Sequence, residues 1–159
     1  MESSLSPSAQ RVQAALAAGG YTNQVVEHTQ TTRSAKEAAA AIGCTVAQIA
    51  KSLIFKTSQT HQPILVIASG PNRVNEARLG EWVGESIEKS DADFAQEASG
   101  FAIGGIPPVG HRAPIRTFID EDLMNLGEIW AAAGNPNAVF RLTPQELLKM
   151  TGGQVIAVK

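Results

Sequence analysis

The sequence predicts a mixed α/β fold: a largely antiparallel sheet of about seven strands with helices around it. Three observations carry this expectation. Helix caps and strand-like runs alternate along the chain, which argues for one mixed α/β domain over residues 1–159. The run Ile64, Leu65, Val66, Ile67, Ala68, Ser69 is almost wholly apolar, as a central strand buried on both faces must be. Two later strand-like runs flank the turn cluster Gly134, Asn135, Pro136, Asn137, the pattern of a hairpin rather than a parallel crossover.

The elements follow in order. Ser6 and Pro7 supply a cap and a first-turn proline for a first helix. Val12, Ala15 and Leu16 form its apolar stripe, and Gly19 and Gly20 end it. Residues 24–28 read as a short strand. Ser34 and Glu37 have capping-box spacing for an alanine-rich helix that stops at Gly43. Thr45 and Gln48 repeat the spacing for a shorter one. A strand is expected over 51–56, then the central strand over 64–69, broken by Gly70 and Pro71. Asn75 caps a helix whose Val74 and Leu79 are placed for a hydrophobic staple. Asp91 caps another, ending near Gly100. Further strands are expected over 101–103, 115–119, 129–132, 138–142 and 154–158. Asp120 opens a brief helix, and Thr143, Pro144 and Glu146 open the last long one.

Bulk properties narrow the function. The chain has 159 residues, 43% hydrophobic and 18% charged, so it is an ordinary globular sequence and not a disordered one. Its net charge of -2 and pI near 5.9 lack the basic excess of a non-specific nucleic-acid binder. Any contact with RNA must therefore be local, weak or helped by a partner. A lone cysteine, Cys44, excludes an intramolecular disulfide, and a buried small hydrophobe is the expected role. No apolar run reaches membrane-spanning length, and the start of the chain lacks the basic and apolar blocks of a signal peptide. The cytoplasm is the expected compartment, without membrane or DNA as partner.

Catalytic signatures such as His-Glu-x-x-His, paired zinc cysteines, a Walker loop or a Gly-x-Ser-x-Gly elbow are absent. His28, His61 and His111 are far apart in sequence, so no metal site and no cofactor are expected. Lys51 shares a strand face with Leu53 and Phe55, which is costly unless its ammonium snorkels to water or opens into a cleft. The segment 104–111 is the densest signal. Gly104, Gly105 and Gly110 permit close backbone approach, while Pro107 and Pro108 stiffen the segment and remove two amide donors. It is either a plain connecting loop or a ring of amides converging on a carbonyl or phosphate, with His111 at its end. Ser69, Asn72 and Arg73 leave the end of the central strand, where α/β ligand sites form. Asn72 and Arg73 either hold a ribose hydroxyl or phosphate, or serve only the turn and solvent. Gly134 fits a site rim and a hairpin turn equally well. Trp82 and Trp130 are expected in the core.

In order, Ala50-Lys51-Ser52-Leu53-Ile54-Phe55, the turn Ser69 to Val74, and Gly100-Phe-Ala-Ile-Gly-Gly-Ile-Pro-Pro-Val-Gly-His111 resemble the YbaK-type, prolyl-tRNA-synthetase-associated editing domains. Ile119-Asp120, the stretch 129–134 and the terminal Thr-Gly-Gly also fit. The most specific part is Gly104, Pro108 and His111 together with Lys51. The resemblance implies a mixed, mostly antiparallel, barrel-like sheet with surrounding helices. It also implies deacylation in trans of mischarged aminoacyl-tRNA, in particular tRNA for proline carrying a small wrong residue (Ala, Cys, Ser, Thr or 2-aminobutyrate). Partners would be the aminoacyl-tRNA acceptor end and prolyl-tRNA synthetase. Under this reading the ester carbonyl lies against the amides of Gly104, Gly105 and Ile106. Lys51 holds the terminal adenosine or its phosphate, the vicinal ribose hydroxyl assists, and His111 shapes the pocket with Pro107, Pro108 and Gly134. The rivals are a non-catalytic module that docks on tRNA or synthetase, and a small amino-acid esterase.

Overall fold

The computed structural model describes residues 5–29, 32 and 34–159. Met1 to Ser4, the start of the segment read for a signal peptide, lie outside them. The helices are α1 (Pro7–Ala18), α2 (Ala35–Ile42), α3 (Glu76–Val83), α4 (Ala92–Ser99) and α5 (Pro144–Thr151). The strands are β1 (Val25–Glu27), β2 (Ile49–Thr57), β3 (Pro63–Ser69), β4 (Ile87–Lys89), β5 (Arg116–Asp120), β6 (Ile129–Ala132), β7 (Ala138–Leu142) and β8 (Gln154–Ile156). They form a single mixed sheet in the order β1-β7-β6-β2-β3-β5-β8, with β4 also paired to β2. Ladders β2–β6, β3–β5 and β5–β8 are parallel, the others antiparallel. Among the described residues β1 and β8 are the two ends of this path, so the sheet is open and not a closed barrel.

Local sequence explains most element ends. The capping boxes Ser34/Glu37 and Thr143/Glu146 form as the spacing requires, and αL glycines Gly43, Gly84, Gly100 and Gly152 stop four helices. Thr45 and Gln48 cap only a single 3-10 turn, Val46–Gln48. Ser6 precedes α1 but makes no cap bond; its hydroxyl goes to the Glu27 carboxylate at 2.8 Å instead. β3 is central, with Leu65, Val66, Ile67 and Ala68 fully buried. Its first residue, Pro63, sits where β2 asks for no amide.

The structure departs from the sequence reading in two places. Residues 101–103 are not a strand. The Phe101 amide donates to the Ser99 hydroxyl (3.1 Å), which itself bonds the Ala95 and Phe101 carbonyls. A side chain has taken the groups that a ladder would need, and the Phe101 ring serves the core instead. Strand β4 was not anticipated, because Ile87-Glu88-Lys89 is three residues long and two are charged; it exists by pairing with the end of β2.

The sheet separates two principal clusters. Ala50, Ile54, Leu65, Ile67 and Ile119 face the larger one with α1, α5, Ile106 and Phe140. Phe55, Ile64, Val66 and Phe118 face the smaller one with Leu79 of α3, and Leu53 packs against it. A third group, Ala38, Ala39 and Ile49, joins α2 to β2, with Trp130 beside it.

At the end of β5, buried Asp120 accepts from the Ser69 amide (2.9 Å), the Asn72 side-chain amide (2.7 Å) and the Asp122 amide (2.9 Å). It ties the central strand to the turn that follows it. Asp120→Ala leaves the Ser69 N–H buried and unpaired, and is expected to lower the unfolding free energy by about 1–3 kcal/mol. Urea denaturation measures this; a loss below about 0.5 kcal/mol would show the tie to be dispensable.

Candidate active site

Strand β2 creates the site because its outer edge is shared. Thr57 N–H donates to the Gln62 carbonyl, so antiparallel alternation turns the odd residues of β2 toward β3. The even residues point the other way. There β6 covers Ile49 and Ala50, and β4 covers the stretch from Phe55 to Thr57. The Ser90 hydroxyl takes the Ile54 carbonyl at 2.8 Å. Between these partners no strand among the described residues covers the edge at Ser52. A cleft of about 770 Å3 opens there, within the range of ligand sites.

Side chains reach this cleft from both faces of the sheet. Lys51 shares its face with Leu53 and Phe55, as its strand position requires, and Arg73, Val74 and Glu76 line the same cleft. Ser52 shares its face with Ala50 and Ile54, and Ala95, Gly104 and Ile106 complete the lining. Lys51 is half-buried and makes no ion pair among the described residues. Burial pushes its pKa down, the Arg73 charge pushes it further, and Asp120 partly opposes both. With Arg73 and Lys89 also on the lining and Glu76 as its single carboxylate among the described residues, the cleft is locally basic on an acidic protein.

The loop after α4 contributes backbone. Gly104 has φ 98°, a left-handed conformation that favours glycine. The Gly105 amide is already committed to the Ala102 carbonyl at 3.1 Å, and the Gly105 carbonyl accepts from Gly134 N–H at 2.9 Å. The amides of Gly104 and Ile106 have no acceptor among the described residues, and both residues line the cleft. The expected ring of three donors is thus two, with Gly105 as the anchor between them. A Cβ on Gly105 would collide with the Asn135 backbone, and one on Gly134 would lie 2.6 Å from the Ser8 carbonyl oxygen. Close backbone approach requires glycine at both.

Other sequence-derived candidates stand behind the cleft. Pro107 and Pro108 are buried and off its lining. His111 turns its Nε2 to the Pro107 carbonyl at 2.7 Å, and burial pushes its pKa down against that bond. It braces the loop and does not line the cleft. Gly134 belongs to the supporting turn. Ser69 is buried, its hydroxyl given to the Ala47 carbonyl at 2.7 Å. Asn72 lines the cleft, but its amide is held by both Asp120 and Asp122 at 2.7 Å. Arg73 is the member of that turn whose side chain is exposed toward the cleft.

Among the lining residues that sequence reasoning missed, two carry unmet polar groups. Ser52 Oγ and Trp130 Nε1 are buried polar atoms with no hydrogen-bond partner among the described residues, and both residues line the cleft. Trp130 is therefore half-buried at the site and not in the core; Trp82 is 46% exposed. Strand parity placed Ser52 opposite Lys51, but no sequence signal marks an open edge.

These features define a class: an α/β protein with a basic cleft through its sheet, two free amides on one rim and a desolvated lysine on the other. The chain belongs to the aminoacyl-tRNA editing domain family, whose model matches residues 29–150. A solved structure described as a candidate trans-editing enzyme for prolyl tRNA synthetase is 47% identical, with TM-score 0.93 over 98% of this chain and 99% of that one. Protein YwhH of Bacillus subtilis, itself uncharacterised, is 28% identical over 84% of each chain. EbsC of Enterococcus faecalis, described as a candidate Cys-tRNA(Pro)/Cys-tRNA(Cys) deacylase, is 24% identical over 76% of this chain and 74% of its own.

The lowered Lys51 pKa has a consequence for stability. The unfolded chain holds this proton more tightly than the folded one, so the charged lysine destabilises the fold below the folded pKa. The penalty fades as pH rises from the folded pKa to the unfolded one. Lys51→Met is expected to melt at a higher temperature than wild type at pH 7, with the gain shrinking in alkaline buffer. A variant that melts lower at pH 7 would mean that Lys51 is satisfied in the fold.

Proposed function

We propose that this chain hydrolyses the ester bond of mischarged aminoacyl-tRNA in trans, with tRNA(Pro) carrying a small non-cognate amino acid as its substrate class. One observation carries the reading: the cleft holds both a desolvated lysine and two unclaimed backbone amides. The family and the 47% identical neighbour support it.

In this mechanism Lys51 and Arg73 hold the anionic 3′ end of the RNA by charge. The ester carbonyl oxygen accepts from the Gly104 and Ile106 amides, whose stabilisation grows as the oxygen becomes an oxyanion. Water adds to the carbonyl carbon and gives up a proton. Collapse of the tetrahedral intermediate breaks the ester bond, and the ribose 3′ oxygen leaves with a proton. Among the described residues no histidine lines the cleft. The substrate's own vicinal hydroxyl is therefore assigned the relay of that proton. Editing of this kind is needed because a synthetase pocket rejects a smaller or near-isosteric side chain only weakly, by about 1–3 kcal/mol for a methylene. His111, Pro107, Pro108, Gly105 and Gly134 act at one remove by holding the amides in place.

The test is a panel of tRNA(Pro) charged with Ala, Cys, Ser, Thr, 2-aminobutyrate and Pro, with free amino-acid esters alongside. Release of at least one non-cognate amino acid, with Pro retained, is the expected result. Lys51→Ala should reduce the rate by two orders of magnitude or more while circular dichroism stays unchanged. Binding without release of any amino acid would make this a docking module. Equal turnover of free esters would make it a small esterase.

A further inference from the structure

The open edge of β2 sorts the cleft into compartments. Lys51 and Arg73 lie on one side, where charge can hold the RNA. Gly104 and Ile106 lie at the rim, where the carbonyl is placed under the reading above. The remaining side is where Ser52 shares its face with Ala50 and Ile54, and the lining adds Ala95, Ile106 and Ala131. These neighbours of Ser52 are aliphatic, and Ser52 adds a hydroxyl among them. That hydroxyl is buried and has no partner among the described residues.

A buried hydroxyl without a partner costs free energy, and the cost is recovered when a ligand supplies the missing hydrogen bond. The aliphatic neighbours suit a side chain of a few atoms. The hydroxyl suits a side chain that itself carries a hydrogen-bonding group at its tip. A methyl group placed there would leave the Ser52 oxygen as unsatisfied as it is in the empty cleft.

We propose, resting on the deacylase reading, that Ser52 selects the amino acid: its Oγ hydrogen-bonds a hydroxyl on the side chain of the esterified residue, so a seryl ester is preferred over an alanyl ester. The two esters differ by that one oxygen. A site that hydrogen-bonds a substrate hydroxyl discriminates against the analogue lacking it far more than an apolar pocket discriminates by size. Ser52 is thus a specificity-determining residue, distinct from the lysine beside it.

The experiment measures kcat/KM for Ser-tRNA(Pro) and Ala-tRNA(Pro) with wild type, Ser52→Ala and Ser52→Thr. Wild type is expected to favour Ser at least tenfold. In Ser52→Ala that ratio falls toward one, while Ser52→Thr, which keeps the oxygen, retains a preference for Ser. Thermal melting separates selection from structure, because removing an unpartnered buried hydroxyl should leave Tm unchanged or raise it. A wild-type enzyme that favours Ala, or a Ser/Ala ratio that survives in Ser52→Ala, overturns the assignment and leaves the deacylase reading standing. Failure of wild type on every mischarged tRNA removes the parent reading itself.

Discussion

Everything at the site depends on one constraint: the outer edge of β2 has two partners that reach different parts of it. Strand β6 runs parallel to its first two residues, and β4 runs antiparallel to its last three. A backbone group left between them must meet water or a ligand, because an unpaired amide or carbonyl cannot be packed into a core. The gap therefore has to open to solvent, and the cleft follows from it. The same gap lets neighbouring residues of one strand serve one cavity. Lys51 and Ser52 point to opposite faces of the sheet, yet both reach the cleft because it passes around the edge.

The glycine loop is held to this gap by a second set of contacts. Gly134 donates to the Gly105 carbonyl, and a side chain on either glycine would drive the two segments apart. The turn is fixed in its turn by the Asn135 amide, which bonds the Ser6 and Ser8 hydroxyls and the Glu27 carboxylate. Burial works against the charge on Glu27, but bonds from Ser6 and Asn135 outweigh it and hold its pKa below the ordinary value. The start of α1 and strand β1 thus support the rim from behind. This explains why a loop with three glycines can present two amides at fixed positions. Its freedom is removed by docking and by the bond from His111 to the Pro107 carbonyl.

Much of the fold was legible in the sequence because local chemistry and tertiary structure agree. Ser34/Glu37, Asn75, Asp91 and Thr143/Glu146 each cap the helix their spacing announces, and the apolar run at 64–69 is the central strand. The failures are equally local. Ser99 redirects the backbone of Phe101 with a side-chain hydroxyl, which no periodicity reveals. At the site, Lys51 and the glycine loop were legible as residues that are hard to explain otherwise. The division of labour within the loop was not. Whether an amide is free or committed depends on Ala102, Gly134 and Asn135, and those contacts exist only in three dimensions. Ser52 was invisible for the same reason, since a serine in a strand is unremarkable until its edge is known to be uncovered.

The electrostatics of the cleft bear on the proposed RNA substrate. A net charge of -2 argues against broad attraction to a polyanion, and no basic face is needed. Lys51, Arg73 and Lys89 instead concentrate positive charge on one lining, with Glu76 as the opposing carboxylate. A lysine that is partly desolvated and repelled by a neighbouring arginine gains more from an arriving phosphate than an exposed lysine does, because its charge has already lost part of its hydration. Under the proposed reading, the cost that Lys51 imposes on the free protein becomes the source of its grip on a ligand. Recognition by such a pair is short-ranged and confined to the cleft. It suits the proposed deacylase, which would hold the end of a nucleic acid briefly and release it after one bond is cut.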